Sequence, residues 1–501
     1  MTGNHFDVLV VGAGISGIGA GYHLQKSCPD RTYAILEARA DIGGTWDLFR
    51  YPGIRSDSDM YTLGYSFKPW TNPRAIADGP SILAYLRETM EEHGIDRHIR
   101  FGHRVRRASW SSDDARWTVE VERGERKELV QYTCDFLFMC SGYFDYSGGF
   151  TPEFPGIERF AGRVVHPQKW TKDIEHAGKR VVVIGSGATA VTLVPAMSKT
   201  AAHVTMLQRS PTYIVSLPGE DPIANWLRRW LPARVAYGIT RWKNVLFGLW
   251  FYQFCRRNPT RARAMLNKWL MKELGPDVDL SHFAPRYNPW EQRVCLVPDS
   301  DLFQAMQQGR ASVVIDQIEP FTEKGIKLRS GTELEADLVV TATGLNLQLL
   351  GGLEVTVDGA RVDFAKTYNY KGMMFSDVPN LALAFGYTNA SWTLKAELIC
   401  RYVCRLLNHM RETGLRQCTP RLRDAHVEEA PFLDLASGYV QRSMHLFPKQ
   451  GAKIPWRLHQ NYVRDIRLLK RGPVEDGVME FSNPSSPAAR RGDVAEIAAA
   501  G

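Results

Sequence analysis

The strongest signal in the chain is a short, unbroken apolar run that ends in glycine, and it occurs more than once. Phe6-Asp-Val-Leu-Val-Val11 leads into Gly12-Ala-Gly14-Ile-Ser16-Gly17, and Arg180-Val-Val-Val-Ile184 leads into Gly185-Ser186-Gly187-Ala188-Thr189-Ala190. A run of four or five apolar residues without alternation predicts a strand buried on both faces, the habit of a parallel sheet covered by helices. Two further runs have the same form: Asp135-Phe-Leu-Phe-Met-Cys-Ser-Gly142 and Asp337-Leu-Val-Val-Thr-Ala-Thr-Gly344. Each lies downstream of one glycine-rich turn and is expected to close that unit's sheet. The fold class predicted is α/β, with two Rossmann-like dinucleotide-binding domains in one chain. The two turns are 173 residues apart, far beyond the period of a solenoid repeat.

Each turn has a physical use. In G-x-G-x-x-G the first glycine makes the tight turn, the second lets backbone approach a pyrophosphate, and the third lets helix and strand pack closely. The pyrophosphate then meets the N–H groups and dipole of the helix N-terminus. Gly12, Gly14 and Gly17 fit this, and Glu37 ends the next strand, placed to accept both ribose hydroxyls. The second copy has Ala190 at its third position, and its next strand, His203 to Gln208, is followed by Arg209-Ser210 rather than an acid. An arginine there pairs with a 2′-phosphate, which a carboxylate would repel. The contrast predicts FAD at the first turn and NADPH at the second. The cofactor readings therefore rest on Gly12, Gly14, Gly17 and Glu37 for one, and on Gly185, Ser186, Gly187, Ala188, Thr189, Ala190, Gln208, Arg209 and Ser210 for the other.

Composition narrows the class. The 501 residues are 44% hydrophobic and 23% charged, which is ordinary for globular domains and excludes a disordered or many-span membrane protein. The eight cysteines form no C-x-x-C pair, so neither a zinc site nor a dense disulfide framework is indicated, and a reducing cytoplasmic setting is the simplest reading. No signal peptide is read at the start, and the longest apolar candidate, Val245 to Cys255, is too short to span a bilayer. No metal site is expected. Disulfide reductases share the two-turn plan but need a redox cysteine pair after the first acid. Asp41 to Arg50 contains none.

Two longer patterns carry a family resemblance. Phe160-Ala-Gly-Arg-Val-Val-His166-Pro-Gln-Lys-Trp170 is similar to the F-x-G-x-x-x-H-x-x-x-W fingerprint of Baeyer–Villiger monooxygenases, the class B flavoprotein monooxygenases. Gly43-Gly-Thr45-Trp46-Asp47 through Tyr51-Pro-Gly to Asp57 resembles a second pattern of that family. The resemblance implies an NADPH-dependent FAD enzyme that forms a C4a-peroxyflavin. It inserts one oxygen atom of O2 into a ketone, giving an ester or lactone, and oxidises sulfur in sulfides and thioamides. It implies Arg293 as the cation that stabilises the peroxyanion and the alkoxide, with Asp57 holding it through a bidentate pair. Ser16, Thr45, Trp46, Asp47 and Val105 follow as FAD contacts, and His166 and Trp170 as a linker that couples domain rotation to NADPH binding. One departure stands out: Gln292 occupies a position where many of these enzymes carry a lysine near the 2′-phosphate, so coenzyme choice leans on Arg209 and Ser210. The alternative is an N/S-oxygenating flavin-containing monooxygenase without ketone activity. Trp170, Asp57 and Arg293 argue against it.

The implied layout is discontinuous. It assigns 1–147 and 346–480 to the FAD domain, 148–216 and 292–345 to the NADP domain, 217–291 to a helical insertion and 481–501 to a disordered tail. The insertion alters the picture of charge. Between Pro222 and Lys272 there are eleven basic residues, no acid and five of the thirteen tryptophans. That window carries +11 against +8 for the whole chain, so the remainder is slightly acidic. Nucleic acid is set aside as a partner because no nucleic-acid motif accompanies the cluster. Two readings stay open: peripheral contact with a membrane surface, or a cap whose aromatics line the active-site cavity. The expected partners are a small lipophilic ketone or sulfur-containing substrate and O2.

Overall fold

The computed structural model describes residues 4–274, 280–424 and 427–484. Residues 485–501, where most of the expected disordered tail falls, lie outside the described residues.

The first apolar run forms the strand His5–Val11, flanked in parallel by Tyr33–Leu36 and Glu128–Met139. Val8 and Val10 enter one core while Leu9 and Val11 enter another on the opposite face. Period-two alternation with both faces covered explains why every position from 8 to 11 is apolar. Glu128–Met139 is long because its first half belongs to an antiparallel meander with His103–Ser111 and Arg116–Arg123. Its last residues also pair with Leu381–Leu383, so chain from far downstream returns to this sheet. Helix Trp392–Thr413 packs against helix Ile15–Ser27 on the same side.

The second run, Arg180–Ile184, lies inside a five-stranded parallel sheet between His203–Gln208 and Leu338–Thr341. It repeats the logic, with Val181 and Val183 buried in one core and Val182 and Ile184 in another. Both glycine turns follow the carboxyl ends of their strands, the edge where open α/β sheets bind ligands.

The short pair Ile214–Leu217 and Cys295–Pro298 brackets the insertion. Prolines divide that insertion into helices Pro222–Trp230, Ala233–Arg257 and Pro259–Leu274. Pro222 and Pro259 stand at first helical positions, where a missing N–H costs nothing, and Asp221 caps the first helix by accepting the Ala224 N–H at 3.0 Å. No helix among the described residues is long and apolar enough to cross a membrane. One expectation needs correction at the C-terminus. Phe481 and Ser482 are not disordered: strand Met479–Ser482 pairs with Gln417–Pro420, two residues into the stretch assigned to the tail.

Candidate active-site cleft

Gly12 turns the chain at φ +104°, and a Cβ there would lie 2.7 Å from the Cys140 carbonyl oxygen. A Cβ on Gly17 would lie 1.8 Å from the Gly12 carbonyl oxygen, so only glycine lets the helix sit on its turn. Gly14 is different: its nearest neighbour would be Gly44 Cα at 3.7 Å, and the backbone is free to meet a ligand. Helix Ile15–Ser27 has no side-chain cap, which leaves its first N–H groups for an anion. Glu37 is buried. Its two oxygens accept the Ala13 N–H at 2.7 Å and the Arg39 N–H at 2.9 Å, and burial raises its pKa against those bonds.

A cleft of about 610 Å³ opens from this turn. Gly12, Gly14, Ser16, Glu37, Thr45, Trp46 and Val105 line it. Gly17 and Asp47 do not. Gly17 lies beneath the turn, and Asp47 is buried in ion pairs with Arg39 and with Arg50, the latter at 2.8 Å. Asp47 thus fixes Arg39, which does line the cleft and which sequence reading missed. Also missed was Ser141, a cleft residue whose buried hydroxyl has no hydrogen-bond partner. An orphaned buried hydroxyl on a cleft residue fits a ligand-binding role.

At the other end Arg293 Nη2 lies 2.9 Å from Asp57 Oδ2. The residues that the resemblance pairs therefore meet as an ion pair. The two side chains are 31% and 34% exposed and both line the cleft, so the pair can be reached by a ligand. Asp57 is the main cause of the raised Arg293 pKa, with burial opposing it. Tyr143 and Tyr439 stand close by, their hydroxyls held protonated by burial first and by each other second in the case of Tyr143. Tyr143 stacks on Trp392 at 5.3 Å and 5°, and Trp392 Nε1 donates to Ser16 Oγ at 2.8 Å. One wall therefore runs from the glycine turn to the arginine through a hydrogen bond and a ring stack.

The second turn opens on the same cleft through Ala188 and Thr189. Gly185 has φ +136°, with the Ala342 carbonyl oxygen 2.3 Å from a would-be Cβ, whereas nothing lies within 4 Å of one at Gly187. Ala190 is fully buried, carrying the methyl that Gly17 cannot. Helix Ala188–Met197 also lacks a side-chain cap. Ser186 Oγ donates to the Ser210 carbonyl at 3.0 Å and contacts Thr212 Oγ1 at 2.9 Å, which ties the turn to the loop after the next strand. Arg209 and Ser210 are exposed on that loop, and the Arg209 guanidinium has no ion-pair partner among the described residues. Gln208 is not exposed with them. It is buried, and its amide donates to the His282 carbonyl at 2.7 Å, anchoring the insertion rather than facing a ligand.

His166 and Trp170 lie off the cleft. His166 accepts the Gln168 N–H at Nδ1, 3.2 Å, and donates from Nε2 to the Gly344 carbonyl at 3.1 Å, a neutral tautomer that burial favours by lowering its pKa. Gly149 packs on the ring so closely that a Cβ would lie 1.9 Å from it. The imidazole thus clamps three stretches of chain where they run between the two sheets. Trp170 packs at the edge of the second core, beside His176. His203 bonds Ser312 Oγ at 2.9 Å, and Cys140, Cys400 and Cys404 are buried. No described residue of 217–291 lines the cleft; Val245 and Leu249 pack behind its wall, against Tyr387 and Ala390.

A flavin-binding monooxygenase-like family model matches residues 6–350. The chain is 54% identical to the FAD-containing monooxygenase EthA of Mycobacterium tuberculosis, over 96% of this chain and 99% of that protein. It is 51% identical to the putative FAD-containing monooxygenase MymA of the same organism, over 95% and 98%. In fold it is similar to an oxidized steroid monooxygenase bound to NADP, with a TM-score of 0.76 at 23% identity, covering 96% of this chain and all of that one.

Proposed function

The chain belongs to the flavin-binding monooxygenase-like family, and from that premise we propose that it is an FAD-containing, NADPH-dependent Baeyer–Villiger monooxygenase. It inserts one oxygen atom of O2 into lipophilic ketones to give esters or lactones, and it oxidises sulfur in sulfides and thioamides. The observation that carries this reading is the Arg293–Asp57 pair set in the wall of the cleft that begins at the first glycine turn.

The donor set suits both cofactors. The uncapped helix after Gly14, the open approach over Gly14, the Glu37 carboxylate and the orphaned Ser141 hydroxyl fit a dinucleotide without a 2′-phosphate. The second uncapped helix, the open Gly187 and the exposed Arg209 fit one that carries a 2′-phosphate. Bound FAD supplies the redox chemistry and the activation of O2. The protein's part is electrostatic and geometric. Negative charge collects on the ketone oxygen as the new C–O bond forms, and the Arg293 guanidinium stands ready to stabilise it. Asp57 orients that guanidinium and balances its charge while substrate is absent. The Trp392–Tyr143 stack holds the distance between the glycine turn and the arginine. The His166 clamp, just behind the cleft lining at Asp145 and Leu345, governs how the two sheet units move relative to each other.

The deciding experiment supplies the purified holoenzyme with NADPH, O2 and a graded series of aliphatic and aryl methyl ketones, with products identified. Esters are expected. Sulfoxidation with no ester from the whole panel selects the N/S-oxygenating alternative. Coenzyme choice gives a second test. Losing charge-assisted contacts to a phosphate costs about 1.5–3 kcal/mol, so Arg209→Ala should raise the NADPH KM roughly 10- to 100-fold. The NADH KM should move by less than about threefold, since that coenzyme lacks the lost contact. Equal losses for both coenzymes remove Arg209 from the phosphate site.

A further inference from the structure

The insertion presents an apolar face that none of the described residues covers. Of the sixteen large apolar side chains exposed among the described residues, eleven lie between Ile223 and Met271. On helix Ala233–Arg257 the exposed positions Ile239, Trp242, Leu246 and Trp250 recur at steps of three and four and form one stripe. Trp226 and Trp230 add 58% and 73% exposed indoles from the preceding helix.

This stripe is held outward by what the opposite side of the helix does. Tyr237, Arg241 and Val245 are buried. Arg241 donates to the carbonyls of Tyr61 at 2.8 Å and Gly64 at 2.7 Å and pairs with Glu397 at 3.1 Å, while the Tyr237 hydroxyl donates to the Tyr65 carbonyl at 3.0 Å. Rotating the stripe inward would strand a buried guanidinium, so the exposed face is a fixed platform and not a lid caught open. The cleft gains no lining from it.

Charge indicates what covers it. Pro222 to Lys272 carries eleven cations and no acid, and Arg229, Arg234, Arg257, Arg261 and Lys268 are exposed. Arg257 continues the helix stripe two turns beyond Trp250. A second copy docking face to face in a two-fold dimer would bring like charges together. Stacked nucleobases would leave the aliphatic members of the stripe without use. An apolar stripe with tryptophans, rimmed by arginine and lysine, matches the headgroup boundary of a bilayer that carries negative charge.

We propose that helices Pro222–Trp230 and Ala233–Arg257 form a docking face for an anionic phospholipid membrane surface, on which the enzyme lies without spanning it. The proposal does not depend on the reaction proposed above.

The test is co-sedimentation of the full-length protein with phosphatidylcholine vesicles, with and without about 30% phosphatidylglycerol, at about 50 mM and 500 mM salt. Binding to the anionic vesicles is expected, weakened but not abolished by salt, with a blue shift of tryptophan emission. Trp226→Ser/Trp230→Ser/Trp250→Ser should bind at least about tenfold more weakly, with NADPH oxidation in vesicle-free buffer unchanged. Arg257→Glu/Lys268→Glu, which leaves the apolar stripe intact, should lose the preference for anionic over neutral vesicles. Absence of wild-type binding at low salt overturns the proposal, as does binding indifferent to both variants. Self-association without lipid that the tryptophan variant abolishes assigns the face to a second copy instead, and retention on nucleic acid that the charge variant abolishes assigns it there; either result also overturns it.

Discussion

Arg293→Ala is expected to lower the rate of ester formation by about 10²- to 10³-fold, the usual effect of removing one preorganised donor from a developing oxyanion. NADPH-dependent reduction of the bound flavin should stay within about threefold of the wild type, because the hydride step needs no cation at the ketone oxygen. The variant should fold. Its stranded partner Asp57 is 34% exposed in the cleft, so water can solvate the carboxylate once the guanidinium has gone. Arg293→Lys should recover only part of the loss, since a compact ammonium cannot hold Asp57 and the substrate oxygen in the planar fork that guanidinium offers. Anaerobic stopped-flow reduction and product analysis per NADPH consumed separate the two steps. Full ester formation in Arg293→Ala would dismiss the residue from the chemistry. Loss of flavin reduction alongside ester would point to a collapsed cleft and not to a missing charge.

The parts of this molecule that were legible in the sequence are those set by local rules. Gly12, Gly17 and Gly185 are required by backbone collisions a few ångströms away, and those collisions follow from the turn itself. The pattern of residues 8–11 and 181–184 predicts strands covered on both faces because each face independently needs apolar atoms. The wall between the glycine turn and Arg293 was not legible. Ser16 and Trp392 are 376 positions apart, and neither composition nor periodicity says that an indole N–H will reach that hydroxyl. Ser141 was hidden for the same reason: its lack of a partner is a property of the folded surroundings, not of the run Asp135 to Gly142 that contains it. Gln208 misled because its place beside Arg209 suggested a shared task, whereas Gln208 is the last residue of the strand, buried with its amide on the His282 carbonyl, and Arg209 stands beyond the strand on the exposed loop. The insertion could be read as basic and aromatic, yet not as facing in or out. One residue decides that: Arg241 is the single member of the basic cluster nearly removed from solvent, and it fixes which face of its helix is inside.

That residue leads to the largest expected effect on stability. Glu397→Ala should destabilise the fold by about 3–5 kcal/mol, the cost of leaving a buried charge without its counter-ion. Glu397 gathers four stretches of chain. Its carboxylate accepts the Ser66 N–H at 2.9 Å and the Ser66 hydroxyl at 2.8 Å, pairs with Arg241 at 3.1 Å and stands 3.6 Å from His23 Nε2. Burial opposes its ionisation, but His23, Arg241 and Ser66 prevail and hold its pKa at about 2, below the ordinary 4.5. A depressed folded-state pKa stabilises the protein above the unfolded value, so this contribution is complete above about pH 4.5 and fades as pH falls toward 2. The gap between wild type and Glu397→Ala should therefore narrow across that window. Glu397→Gln keeps the shape and one acceptor and should show most of the loss, which isolates the charge. Asp337→Ala is the control: its Arg180 partner is 46% exposed, and breaking such a surface pair costs about 0–1 kcal/mol. Thermal-inactivation half-life is the appropriate readout, because large chains commonly unfold irreversibly. Half-lives matching those of Asp337→Ala would remove the Arg241–Glu397 pair as the bond between the insertion and the helix that carries Trp392. A deficit of the expected size makes that pair the reason the stripe on the other side of the insertion helix faces out.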